Sequence, residues 1–132
     1  MAGSFGYEMD LQKLSEEEKE QVKEQVRLYH KYYDLVHEGD YYRLTAPGKA
    51  SFMAWEIVSE DKKEALVSIV ITEIEGNRCP RWIQIKGLDP EMQYELEDGS
   101  VHYGSDLMYA GLPVAPALKE YEACQIYLKA LN

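Results

Sequence analysis

The sequence predicts a mainly β fold, an antiparallel β-sandwich preceded by one long α-helix. Three observations carry that reading. Between residues 15 and 38, apolar side chains recur with helical period behind a capping signal. After Gly39 the period drops from about 3.6 to about 2. From there, turn signals interrupt the chain roughly every 8–12 residues, the rhythm of short antiparallel strands in a sandwich or barrel.

Taken in order, Phe5, Tyr7, Met9 and Leu11 alternate with other residues, a short strand signal over residues 5–11. Ser15-Glu16-Glu17-Glu18 has the spacing of a capping box, in which the serine oxygen accepts from the Glu18 N–H and the Glu18 carboxylate reaches back. The glutamates also suit the positive end of the helix dipole. Val22, Val26, Tyr29, Tyr33 and Val36 then form one apolar stripe over a helix spanning 15–38, opposite a Glu/Lys/Gln face left to solvent. Gly39 is the expected left-handed stop.

Tyr41 to Leu44 opens a strand, and Pro47-Gly48 marks a turn. Residues 52–58 form the next strand, Asp61-Lys62-Lys63 a polar hairpin tip, and residues 65–72 the return. Glu75-Gly76-Asn77 is a loop. Trp82, Ile83 and Ile85 form a strand ending at Gly87. Tyr94 and Leu96 pair through an Asp98-Gly99 turn with Val101 and Tyr103. Residues 105–118 are irregular with one helical turn, and residues 121–131 close the chain as a strand.

A chain of 132 residues with a 45% apolar share carries enough material for one core of ordinary domain size. Its net charge of −10 repels phosphate backbones and anionic lipids, so neither nucleic acid nor membrane is an expected partner. No apolar run approaches the roughly 20 residues of a membrane span. Met1 leads through Ala2-Gly3-Ser4 directly into a structural motif, with no basic or apolar leader region. That start reads as an internal methionine of a longer chain. Cys79 and Cys124 are too few for a disulfide scaffold and lack the spacing of a zinc site. They read as free thiols of a cytoplasmic protein.

Nucleophile and metal patterns are missing from the sequence. His30 and His37 lie seven residues apart, two helical turns instead of the one turn a helical metal pair needs, and His102 stands alone. All three are expected to be exposed or capping, and no metal or cofactor is expected. There is no G-x-S-x-G and no phosphate-binding glycine loop. The aromatics are the stronger candidates, because Trp55, Trp82 and eleven tyrosines have apolar faces that stack on sugar rings. Trp55 and Trp82, however, sit mid-strand among Ile, Met and Val, where core or interface packing is the expectation. Tyr29, Tyr32 and Tyr33 on the helix suit a half-wet interface.

Four stretches then carry a family resemblance. They are Phe5-Gly6-Tyr7-Glu8-Met9-Asp10-Leu11, Trp55-Glu56-Ile57-Val58-Ser59-Glu60-Asp61-Lys62-Lys63-Glu64-Ala65-Leu66, Gly87-Leu88-Asp89-Pro90 with Tyr94, and Gly104-Ser105-Asp106-Leu107-Met108-Tyr109-Ala110-Gly111-Leu112-Pro113. In this order they resemble the C-terminal end of a bacterial family 36 glycoside hydrolase of the α-galactosidase type. The resemblance implies that residues 1–39 are the remnant of a (β/α)8 barrel, with its last strand at 5–11 and last helix at 15–38. Residues 40–132 would be the complete C-terminal β-sandwich domain.

Retaining glycosidases use two carboxyl groups about 5–5.5 Å apart. The resemblance places both upstream of Met1, so it implies that no residue here is catalytic, substrate-binding or metal-binding. Glu8 and Asp10 fall in the resembled last barrel strand, near where barrel active sites gather, yet a structural role is expected for them. The chain alone is expected to be inactive. The parent would hydrolyse terminal α-galactosides of the raffinose and melibiose class with retention, in the cytoplasm. This part would support the catalytic barrel of the parent chain and contribute to a homo-oligomer. The alternative is a carbohydrate-binding β-sandwich module working through exposed aromatics.

Overall fold

A computed structural model describes residues 5–46, 48, 51–73, 81–114 and 119–131. The expected features at Pro47, at the Glu75-Gly76-Asn77 loop, at Cys79 and at 115–118 lie outside the described residues. The chain divides into two compact units, Met1–Glu38 and Gly39–Asn132.

In the first unit the capping box forms as the sequence predicts. The Glu18 N–H donates to Ser15 Oγ at 3.2 Å, and the Ser15 N–H donates to Glu18 Oε2 at 2.8 Å. Helix α1 follows over Glu16–Lys31. Ion pairs Glu16–Lys19, Glu20–Lys23 and Glu24–Arg27 run along its wet face, where solvent screening leaves each worth little.

The single helix expected over 15–38 is instead two. At Tyr32 the backbone relaxes to φ −106° and ψ 13°, a sparsely used region between helix and strand, and α2 resumes over Tyr33–Glu38. The break shifts the apolar stripe. Tyr29, Tyr32, Leu35 and Val36 are buried, while Tyr33, expected in the stripe, is 45% exposed. Gly39 follows α2 without a left-handed φ, because the chain passes directly into a strand.

The strand expected over 5–11 is not formed. Residues 5–10 are irregular and Leu11–Lys13 is a 3-10 turn capped by Asp10, whose Oδ1 accepts from the Gln12 N–H at 3.0 Å. An alternating pattern becomes a strand only with a partner for its backbone groups, and no described strand pairs with this segment. Its aromatics settle on the helix instead. The Phe5 ring lies 5.3 Å from that of Tyr29, and Tyr7 Oη donates to Gln25 Oε1.

The second unit is the predicted antiparallel β domain. A six-stranded sheet has the order β1-β2-β3-β8-β5-β6, and β4-β7 form a separate two-stranded ribbon. The strands are β1 (Asp40–Arg43), β2 (Phe52–Val58), β3 (Glu64–Ile71), β4 (Arg81–Ile83), β5 (Gln93–Leu96), β6 (Val101–Tyr103), β7 (Leu112–Val114) and β8 (Ala123–Leu131). The short helix α3, Gly104–Tyr109, lies between β6 and β7. Residues 105–118, read as irregular, therefore contain α3 and β7.

Register explains the core. Val58 pairs with Ala65, Ala65 with Leu128 and Leu128 with Leu96, so these four line one face. Ala54 pairs with Ile69 on the same face. Ile83 and Leu112 of the ribbon, with Ile85, Leu88 and Leu107, complete one cluster with that face. Burying such side chains is worth about 1.5–3 kcal/mol each, which makes this cluster the main source of the domain's stability.

Tyr94 pins two loops inside this core. It is fully buried, its Oη donates to the Lys62 carbonyl at 2.7 Å and accepts from the Asp89 N–H at 3.0 Å. The hairpin tip between β2 and β3 is thereby joined to the Gly87-Leu88-Asp89-Pro90 turn. Next to it, a Cβ added at Gly104 would lie 2.0 Å from the Asp89 carbonyl oxygen, so this position accepts only glycine.

Candidate functional site

Asp10 caps the 3-10 turn and lies 3.9 Å from Lys13 Nζ. Glu8 is exposed. Among the described residues, no three His, Cys, Asp or Glu side chains are grouped as metal ligands. His37 Nδ1–H donates to the Tyr33 carbonyl at 2.9 Å, and its ring stacks on Tyr33 at 4.1 Å. His30 is exposed. No helix among the described residues is long and apolar enough to cross a membrane.

Two features of the β domain were not anticipated from sequence. The first is Glu56 on β2, which the alternation places on the core face between Ala54 and Val58. It is fully buried. Its Oε1 accepts from the Lys86 N–H at 2.5 Å, while Oε2 has no partner among the described residues. Burial pushes the carboxyl up to about 8, against the opposing pull of the Lys86 N–H. Glu56 is thus largely a neutral acid inside the core.

The second is Trp82. Expected to be packed, it is 58% exposed. The reason is its strand. Trp82 belongs to the two-stranded ribbon, opposite Pro113 in register, and not to the main sheet. Pro113 was the available signal, since proline is confined to sheet edges. Trp55 behaves closer to expectation, being half-buried with its Nε1 out of solvent.

Trp82 and Pro113 stand at a cavity of about 480 Å³ between the ribbon, the β5–β6 hairpin and α3. Leu96, Leu107, Leu112 and Ile126 give it an apolar lining, and Asp98, Ser100, His102 and Asp106 supply polar groups. Asp98 Oδ1 accepts from Ser100 Oγ at 2.6 Å and from the Ser100 N–H at 2.9 Å. Those bonds, with a smaller contribution from His102, hold the Asp98 carboxyl below the usual range. The Asp106 carboxylate and the His102 ring make no hydrogen bond among the described residues. The ribbon is fixed to α3 by the Ile85 N–H donating to the Leu107 carbonyl at 3.1 Å and by Gln84 Nε2 donating to the Tyr109 carbonyl at 3.1 Å.

The class defined so far is an antiparallel β domain with an apolar-walled cavity. Residues 52–128 match the glycosyl hydrolase family 36 C-terminal domain, and the chain belongs to that family. It is 44% identical over its whole length to the bifunctional alpha-galactosidase/sucrose kinase AgaSK of Mediterraneibacter gnavus, of which it spans 14%. It is 39% identical, again over its whole length, to the alpha-galactosidase AgaA of Geobacillus stearothermophilus, spanning 18%. The crystal structure of AgaA superposes with a TM-score of 0.93 over 98% of this chain, and the galactosidase domain of AgaSK with 0.91 over 96%. The chain is therefore the C-terminal domain found in family 36 α-galactosidases, and it covers a small part of each relative's length.

Proposed function

We propose that this chain is the non-catalytic C-terminal part of a retaining α-galactosidase that hydrolyses terminal α-galactosides of the raffinose and melibiose class. The observation that carries the reading is full-length similarity to α-galactosidases of which it forms 14–18%. Its assigned role is to support the catalytic barrel of the parent chain. The sheet face opposite the core supports that role. Tyr41, Met53, Val101, Tyr103 and Leu131 all stand exposed there, and large apolar side chains gathered on one face mark a docking surface. The same face serves association with a second copy, which is the homo-oligomer of this reading. The compartment is the cytoplasm, in keeping with Cys124 as a free thiol.

The test is direct. A chromogenic α-galactoside incubated with the purified chain gives no turnover above buffer. Hydrolysis that disappears on substituting one acidic residue of this chain overturns the proposal. Light scattering at micromolar concentration reads the oligomer. A second reading, carbohydrate binding by the β domain, is favoured by one observation, the exposure of Trp82 at the mouth of a cavity.

A further inference from the structure

We propose that the cavity beneath Trp82 is a binding site for a neutral sugar ring. The inference deepens the carbohydrate-binding reading and stands independently of whether the chain is catalytic.

Size comes first. About 480 Å³ lies within the roughly 300–1,000 Å³ of small-molecule sites and accommodates one or two hexose rings. The walls come next. A sugar presents an apolar C–H face and a rim of hydroxyl groups. Trp82 offers the matching aromatic face at the mouth, 58% exposed, where the indole would otherwise be held in water. Leu96 and Leu107 continue the apolar surface inward.

The polar groups are those that hydroxyls need. Asp106 accepts hydrogen bonds, His102 brings its ring nitrogens to the same cavity, and neither is hydrogen-bonded among the described residues. Asp98 is held in place by Ser100, so its carboxylate is oriented before any ligand arrives, which lowers the ordering cost of binding.

Charge narrows the ligand class. Glu97, Asp98 and Asp106 line the cavity, and no lysine or arginine is among the described residues that do. Phosphorylated and carboxylated ligands are disfavoured by that field. A neutral polyol is not, and carboxylates are good acceptors for its hydroxyls. A small cation is also electrostatically acceptable, but it leaves the ring nitrogens of His102 and the exposed indole of Trp82 without a role.

The experiment uses saturation-transfer NMR and tryptophan fluorescence on the full chain, with methyl α-galactoside and raffinose as probes and choline as the cationic control. Saturable sugar binding in the millimolar range is expected, together with a blue shift of the exposed indole. Trp82→Ala is expected to weaken it roughly tenfold, equivalent to 1.4 kcal/mol, Trp82→Phe less, and Asp106→Asn measurably. Circular dichroism confirms that each variant is folded. Absence of binding, binding unaffected by Trp82→Ala, or binding of choline in place of sugar overturns the proposal. So does failure of the sugars together with loss of association between the Trp82→Ala chain and a separately produced parent barrel, since the cavity is then a docking surface. None of these outcomes touches the chromogenic assay, so the failure of the sugar site and the failure of the non-catalytic reading are read separately.

Discussion

The Lys86 backbone N–H donates to the Glu56 carboxyl at 2.5 Å, joining β2 to a segment thirty residues further along the chain. Glu56 is fully buried and its carboxyl is pushed up to about 8. The direction of its pH effect follows. Below about pH 4.5 the group is neutral in both the folded and unfolded chain, and its contribution is fully present. As pH rises toward 8 the unfolded chain ionises while the folded chain holds its proton, so stability falls. A shift of this size corresponds to on the order of 4 kcal/mol. Urea unfolding at a series of pH values is expected to show this decline, and Glu56→Gln to flatten it. A variant with the same slope as the parent would move the titration to another group.

Tyr94→Phe removes the bond to the Lys62 carbonyl and leaves the Asp89 N–H without its acceptor. Stranding these part-buried backbone groups costs about 1 kcal/mol. The expected result is a lower urea midpoint with an unchanged m-value, together with faster amide exchange at Lys62 and Asp89. Loss of stability without those local changes would place the effect elsewhere in the core.

Gly104→Ala is expected to destabilise by about 3 kcal/mol or more, because the new methyl meets a backbone oxygen that cannot rotate away. Gly99→Ala is the contrast. Unlike Gly104 it has a positive φ, 80°, but nothing lies within 4 Å of its Cβ, so its cost is limited to backbone strain of order 1 kcal/mol. Thermal unfolding of the two variants orders them. Equal effects would mean that Asp89 yields.

The two tryptophans separate cleanly. Trp82→Ala is expected to change stability by within about 0.5 kcal/mol, as for an exposed side chain, and Trp55→Ala to cost several times more. A large loss at Trp82 would show that the ribbon depends on its indole.

Ser15→Ala removes one half of the capping box and is expected to cost about 1 kcal/mol of helix stability. Amide exchange across the first turn of α1 reads this, with Glu18, the donor to Ser15 Oγ, most affected.

The local signals in this chain were the ones read correctly from sequence. The Ser15 box depends on residues three apart. The hairpins at Asp61-Lys62-Lys63 and Asp98-Gly99 depend on turn chemistry and on alternation in the flanking strands. The mistaken strand and burial expectations share a cause. Residues 5–11 alternate like a strand, but a strand exists only where another supplies its hydrogen bonds. Trp82 looked like a core residue because it sits in a short β pattern with Ile83 and Ile85. Its exposure follows from pairing with Pro113 in a separate ribbon, thirty-one positions away by sequence number. Glu56 is one acid among 24, and its β2 register turns it inward.

By itself the sequence determined the class of the fold, the helix start at Ser15, the hairpins at Asp61-Lys62-Lys63 and Asp98-Gly99 and the family resemblance, because each rests on spacing along the chain. Only the tertiary structure decided which alternating residues face the core, that Glu56 is buried while Trp82 is exposed, and that Asp98, Ser100, His102 and Asp106 converge on one cavity. Those outcomes depend on strand pairing between distant segments. A shift of one residue in that pairing would turn every side chain to the opposite face, and for strands far apart in the chain, such as β3 and β8, no turn fixes it.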